Sequence, residues 1–198
     1  PESYGDLEIG PDTDVRLWQS DAAAYAVDAA GSLYSQDHAN NDGDLYIWGA
    51  YERTSGTDYW SHATDFEGTP LGGSSRPANV HFADGASALF TGSTLEMQGR
   101  GGTQTGQNQG SGTYALAVDD GTIDAQYYSI TDTNIDGLSL LGSTTVTSLA
   151  DGAFTLATDG GSMLTVASTT VDENPALQIQ RATFSTSSGI ASGFNVSL

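Results

Sequence analysis

The sequence predicts an all-β chain, and three observations carry that expectation. Between Thr113 and Leu198 short alternating apolar runs are cut at near-regular intervals by Gly, Asp and Thr turns. The runs include Tyr114–Val118, Ile123–Gln126, Tyr128–Ile130, Leu138–Leu141, Thr144–Thr147, Phe154–Leu156, Met163–Val166, Thr169–Val171 and Leu177–Ile179. Each is too short for a helix and rich in the β-branched and aromatic residues that suit a pleated, half-buried surface. Every third run also lines up, so that Tyr114–Val118, Leu138–Leu141 and Met163–Val166 form one set. Ile123–Gln126, Thr144–Thr147 and Thr169–Val171 form a second, and Tyr128–Ile130, Phe154–Leu156 and Leu177–Ile179 a third. The offset of about 22 to 26 residues is one turn of a three-sided parallel β-solenoid. The alternative is a β-sandwich or jelly roll, whose ordinary strand spacing is similar. Thirdly, the 25 Gly and many Ser and Thr give a turn-rich composition, and no window sustains a 3.6-residue period.

The first half is less regular. Leu7–Ile9 and Val15–Trp18 are strand candidates around a Gly10-Pro-Asp12 turn, followed by Ala24–Val27 and Ser32–Tyr34. Ser20–Ala30 is the best helix candidate in the chain, although Tyr25-Ala-Val27 alternates within it. A polar loop, Gln36–Asp44, feeds the strongest strand of this half, Leu45–Trp48. From Gly49 to Gly73 the chain is polar, aromatic and aperiodic, which reads as an excursion or as an ordered loop covering one end of the core. The alternating pattern resumes at Asn79–Phe82, Ser87–Phe90 and Thr94–Met97. Gln98–Gly112, almost wholly Gly, Gln, Thr, Asn and Ser, reads as a flexible loop or long side turn. The expected division is therefore an N-terminal β segment, 1–78, and a solenoid, 79–198.

The block from Val80 to Leu198, with its Ala83-Asp-Gly-Ala-Ser-Ala-Leu-Phe90 and Gly92-Ser-Thr-Leu-Glu-Met97 segments, resembles the right-handed parallel β-helices of bacterial surface and secreted proteins. These are the passenger-domain adhesins and the pectate-lyase-like folds. The resemblance is one of texture over about 120 residues. It implies a right-handed parallel β-helix in an extracellular or cell-surface protein, often an adhesin or structural fibre. Pectate-lyase catalysis relies on an Asp-rich calcium site with a basic residue nearby. No such constellation matches here, since Lys is missing and the five Arg are scattered.

Charge narrows the partners. Against 25 acidic residues stand five Arg, for a net charge of −20. A surface this negative repels phosphate backbones and anionic lipid heads, so neither nucleic acid nor a charged membrane surface is an expected partner. It keeps a rod with β edges soluble and discourages lateral association. No apolar run approaches the roughly 20 residues of a membrane span, so membrane insertion is not expected. Without Cys there is neither a disulfide framework nor a thiolate metal site. The chain opens on Pro1-Glu-Ser and closes on the strand-like Gly193–Leu198, which reads as a mature piece or as a segment cut from something longer. A strand in that position calls for a next turn or a neighbour to stack on.

Two groups of residues are candidate binding sites. Asp37, Asn40, Asp42 and Asp44, with Gly43 free to take a positive φ, offer oxygens of the kind Ca2+ requires. Asp132-Thr-Asn-Ile-Asp-Gly137 opens like a calcium loop, yet Leu140 and Ser143 stand where later ligands belong. The competing reading of both is Asx side chains capping their own turns. Tyr51, Tyr59 and Trp60 with Arg53 are the candidate glycan platform, because aromatic faces stack on sugar C–H groups while guanidinium binds hydroxyls. There the competing reading is that large rings plug the end of the solenoid. His38, His62 and His81 lack zinc spacing, and no nucleophile elbow is present. No catalytic residue is assigned, although paired carboxylates for glycoside cleavage, drawn from Glu52, Asp58 or Asp65, remain an option. A Thr ladder from Thr144–Thr147 and Thr169–Val171 would span only two turns.

The function expected from these residues is that of a non-enzymatic, extracellular surface or filament-forming module, structural or adhesive. Its partners would be identical neighbours, further repeats of a longer chain, or glycans. The alternative is a carbohydrate-binding or polysaccharide-cleaving module of the same fold.

Overall fold

The computed structural model describes residues 7–9, 15–17, 25–27, 32–37, 45–47, 49–62, 79–98, 104–108 and 112–198. Among these residues the chain visits three sheets in strict rotation, and seven circuits result. The first holds β1 (Leu7–Ile9), β2 (Val15–Leu17) and β3 (Tyr25–Val27), and the second β4 (Ser32–Asp37), β5 (Leu45–Ile47) and β6 (Ala50–Arg53). The third holds β7 (Thr57–His62), β8 (Asn79–Phe82) and β9 (Ser87–Thr91), and the fourth β10 (Thr94–Gln98), β11 (Gln104–Asn108) and β12 (Tyr114–Asp119). In the fifth are β13 (Thr122–Gln126), β14 (Tyr128–Thr131) and β15 (Thr133–Leu141), and in the sixth β16 (Thr145–Ala150), β17 (Ala153–Leu156) and β18 (Ser162–Val166). The seventh replaces its first strand by a helix, α1 (Ser168–Glu173), before β19 (Thr183–Thr186) and β20 (Phe194–Ser197).

Sheet A runs β1-β4-β7-β10-β13-β16, sheet B runs from β2 to β19, and sheet C from β3 to β20. Every pairing between these strands is parallel. That removes the sandwich alternative, which needs antiparallel neighbours. The ladders also cross the boundary expected at residue 78, because β5 pairs with β8, β6 with β9 and β7 with β10.

Parallel strands place the same residue of successive circuits one above another, so the interior is built of columns. Tyr51, Ala88, Leu116, Leu138 and Leu164 form one in sheet C, and Phe90, Val118, Leu140 and Val166 another; all are buried. Sheet A adds Leu95 and Ile123 beside Met97 and Ala125. Rings bridge the circuits: Phe82 stacks on Tyr114 with centroids 3.9 Å apart, and Phe154 sits between Tyr128 and Phe184, 5.3 Å from each.

Corners are stitched by aspartate. Asp84 accepts the Gly112 N–H at 2.8 Å, Asp120 the Ser143 N–H at 2.7 Å, and Asp159 the Ser192 N–H at 2.8 Å. Each bond joins one circuit to the next. Asp120, Asp132 and Asp151 take φ of 51°, 59° and 54°, a left-handed turn that Asp tolerates better than most side chains.

Four expectations need correction. Gly49–Gly73 contains β6 and β7, whose alternation is hidden because Asp58 occupies an inward position in register with Leu95. Gln98–Gly112 contains β11, which has no apolar side chain but is held on both sides by β8 and β14. Within Ser20–Ala30, Tyr25–Val27 is strand β3 and not helix; the rest of that stretch lies outside the described residues. Lastly, Thr169–Val171 belongs to α1, and Leu177–Ile179 is not a strand. Phe154 pairs instead with Phe184.

The helix appears in that place because its side chains are bonded to the circuit below. A six-residue helix is marginal by itself. Here Thr170 Oγ1 donates to the Gly142 carbonyl at 2.9 Å, and the C-cap residue Asn174 closes the exposed edge of β16. Its side-chain amide donates to Thr144 O at 2.7 Å and accepts from Val146 N at 2.8 Å, the two bonds that the backbone of a following parallel strand would make. Asn174→Asp keeps the acceptor and loses the donor. It is expected to lower stability by about 1–3 kcal/mol in urea denaturation at pH 7, with partial recovery once acid protonates the new carboxyl. An unchanged midpoint would show that the amide contributes nothing to the edge.

Candidate functional site

The glycan platform read from the sequence is not on the surface. Tyr51, Arg53 and Trp60 are 1%, 2% and 2% exposed, and all three lie in the interior. Trp60 packs edge-on against Phe90, with centroids 5.6 Å apart. Arg53 sits in the column of Phe90 and Val118, and Asp58 in that of Leu95 and Ile123. The two polar residues face each other across the column, Arg53 Nε lying 3.2 Å from Asp58 Oδ1. Tyr51 donates its hydroxyl to Asp58 Oδ2 at 2.6 Å, and Arg53 Nε donates to the Ser55 carbonyl at 2.8 Å. Burial, reinforced by the Asp58 carboxylate, drives the Tyr51 hydroxyl far above its ordinary pKa, so it remains a donor. This cluster is an internal ion pair without access for a sugar. Tyr59 pairs in register with Glu96, and its side chain lies outside the described residues.

Of the calcium candidates, Asn40, Asp42 and Asp44 lie outside the described residues, as does the side chain of Asp37 at the end of β4. Asp132–Gly137 is described, and it follows the capping reading. Asn134 Oδ1 accepts the Asp136 N–H at 3.1 Å, and Thr131 donates to Asp132 at 3.0 Å. Gly137, with φ of 68°, is required for close packing: a Cβ there would lie 2.4 Å from the Met163 carbonyl of the next circuit. Among the described residues no three His, Asp or Glu converge as a metal site.

The arrangement with chemical potential is one that sequence spacing hid, on the outer face of sheet A. Glu96 of β10 and Asp124 of β13 stand in register on adjacent strands, about 4.8 Å apart at the backbone. Tyr59 lies in register on the other side of Glu96, and Ser148 beyond Asp124. A column of Thr57, Thr94, Thr122 and Thr145 runs along one flank, and Gln98 and Gln126 pair on the other. The two-turn ladder of Thr144–Thr147 and Thr169–Val171 does not form, since Thr169–Val171 is helical and Thr145 stacks instead on Thr122. Burial raises the Glu96 carboxyl above the usual carboxylate range, and the Asp124 charge adds to the shift. Burial likewise raises Asp124, opposed by a hydrogen bond from Gln126. Asp124 Oδ1 is inaccessible and has no hydrogen-bond partner among the described residues. Two carboxyls in register on one face, both raised by burial, suit either hydroxyl binding or acid–base work. Only the circuit length joins residues 28 apart, and no local motif announces the pair.

Comparison with known proteins finds no family model, no curated protein and no solved structure that matches this chain.

Two outcomes follow from these clusters. Asp58→Ala strands the Arg53 guanidinium and is expected to cost about 3–5 kcal/mol, whereas the double change Arg53→Met/Asp58→Leu is neutral or stabilising in the same denaturation experiment. Glu96→Gln is expected to stabilise the fold at pH 7 by about 0.2–1 kcal/mol by removing a like-charge cross-strand pair. Because both folded carboxyls titrate above their unfolded values, their penalty is absent below about pH 4 and grows as pH rises through the raised values. The benefit of Glu96→Gln therefore vanishes in acid, and melting curves across that range check it.

Proposed function

We propose that this chain is a right-handed parallel β-helix that serves as a non-enzymatic, extracellular surface or filament-forming module, structural or adhesive. Strict rotation among three parallel sheets supports the helix, and the strong preference of parallel crossovers for the right hand supports its sense. The likeness of residues 80–198 to surface and secreted β-helices supports the location. The observation that carries the assembly role is the seventh circuit. From residue 182 to 198 it has no charged residue, in a chain of net charge −20. Phe194, Val196 and Leu198 are exposed there, and Val196 continues the column that is buried at Leu138 and Leu164. β19 and β20 stand last in their sheets, so their outer backbone groups are available to a following strand. The occupant is an identical neighbour or a further repeat of a longer chain, while the acidic flanks keep the rods apart.

A second reading, carbohydrate binding or cleavage, is favoured by the Glu96–Asp124 pair on its flat Thr- and Gln-bordered face. Negative-stain electron microscopy with sedimentation separates the two. End-to-end fibres that Val196→Asp shortens to single rods are the result expected of the assembling module. A monodisperse wild type that binds glycans, losing them in Glu96→Gln, overturns that module and supports the second reading.

A further inference from the structure

We propose that the seventh circuit is a two-fold joint for a second copy of this chain, in which β19 of each copy adds, antiparallel, to β20 of the other. The proposal rests on the assembling-module reading and names its occupant, an identical chain turned end over end.

The way the three sheets end selects that partner. Sheets B and C end on β19 and β20, each four residues long, whereas sheet A is closed by α1 and by the bonds of Asn174 and Gln180 to β16. A following parallel circuit, from this chain or from a neighbour in the same orientation, needs a strand edge on all three sides. The other end of the rod offers such a circuit, since β1, β2 and β3 each stand first in their sheets among the described residues. Docked head to tail, β1 meets the closed side and finds no strand. Two open strands and one closed side are matched by the same end of a second copy, as an isologous contact requires.

The turn also fixes which strands meet. A two-fold axis lying across the rod and passing through sheet A lays sheet A on sheet A and exchanges sheets B and C. Facing strands of the two copies then run in opposite directions, as in an antiparallel ladder. The exchange levels the joint as well. Each circuit climbs one strand spacing, about 4.8 Å, so β20, later in the circuit, stands higher than β19. Setting the lower strand of each copy against the higher strand of the other makes the two gaps equal. Pairing β19 with β19 and β20 with β20 leaves one gap wider than the other.

Backbone, side chains and charge agree with this arrangement. Ser87, Thr122, Thr145 and Thr183, on the outer face, give their N–H groups to the preceding circuit. Successive residues of a strand turn their backbone groups to opposite edges, so inward residues turn theirs to the circuit that follows. In β19 these are Phe184 and Thr186, above Phe154 and Leu156, and in β20 Val196, above Leu164. Both strands stand last in their sheets, so these groups face the joint. With Phe184 opposite the partner's Val196, Thr186 meets the partner's Phe194 and Ser185 the partner's Asn195, inward against inward and outward against outward. Phe194 and Val196, exposed in the single chain, are covered. No residue from 182 to 198 is charged, so chains of net charge −20 meet across β19 and β20 without acid against acid. Asp172 and Glu173 of α1 lie on the closed side and, with the acidic flanks, oppose the joint until salt screens them.

The chain has no Cys, so single cysteines report the joint. Ser185→Cys and Asn195→Cys, both exposed positions, are prepared as separate chains and oxidised mildly, alone and as an equimolar mixture. Residues directly opposite on antiparallel strands come within disulfide reach. A disulfide-linked dimer in the mixture and in neither chain alone is expected. In sedimentation, Val196→Asp raises the dissociation constant at least about tenfold, and raising NaCl from about 0.05 M to about 1 M lowers it. Linked dimers in either chain alone, none in the mixture while the chains still associate, or association that weakens in salt or ignores Val196→Asp overturns the two-fold exchange and leaves the assembling module standing. Single rods at every concentration up to the solubility limit overturn both.

Discussion

A single circuit of this chain cannot enclose its own interior, and its backbone finds hydrogen-bond partners only on the circuits before and after. Everything else in the molecule answers to that constraint. Inward residues must stack in columns, because a parallel ladder repeats the same lateral position at each level. Shape matters most where a circuit departs from the pattern: Tyr51 stands over Ala88, and the Phe82–Tyr114 and Phe154–Phe184 stacks fill the width of the interior. The Arg53–Asp58–Tyr51 cluster obeys the same rule. Arg53, Asp58 and Tyr51 have no route to water there and are paired with each other and with the Ser55 carbonyl of the corner. Its pairing is costly to break, and apolar residues would fill the same space.

Acidic residues, which at first sight only solvate the chain, take three different positions. Asp84, Asp120 and Asp159 accept backbone N–H groups one circuit on, and these bonds hold the Asp159 carboxyl below its ordinary pKa. Asp58 is inside. Glu96 and Asp124 form a like-charge pair on the outer face, where burial raises both. The calcium-like run at Asp132–Gly137 belongs with the corners, since its Asn and Gly serve a turn and a close approach to Met163. Acidic side chains therefore differ with their place: N–H donors hold the corner carboxyl of Asp159 low, while burial raises those of Glu96 and Asp124 on the outer face.

The seventh circuit shows how such a stack manages an edge. Sheets B and C continue into β19 and β20, while sheet A is closed by α1, the Asn174 amide and the single bridge at Gln180. Leu177 and Ile179 pack down on the core from this segment without forming a strand. An edge treated in this way is protected against indiscriminate pairing and keeps local irregularities that a full strand would erase. Two sheets thus end on an open strand and the third on a closed edge.

The sequence alone determined the all-β class, the strands from Tyr114 to Val166 and which runs stack, Tyr128–Ile130 with Phe154–Leu156 and Leu138–Leu141 with Met163–Val166, because apolar alternation and circuit length are local, countable properties; the exact register, Ile130 beside Phe154 and Leu138 beside Leu164, came from the structure. It could not place β7 or β11: Asp58 breaks the apolar alternation at an inward position, and the Gln104–Asn108 strand owes its conformation to neighbours on both sides. Nor could it tell Thr169–Val171 from one more Thr-rich strand, since the bonds from Thr170 and Asn174 to the previous circuit select the helix. The same limit moved the aromatic and basic residues at 51, 53 and 60 indoors and brought Glu96 against Asp124. Which face of a strand a residue takes, and which distant residue it meets, is decided by the stack of circuits above and below it, and that exists only in the folded chain.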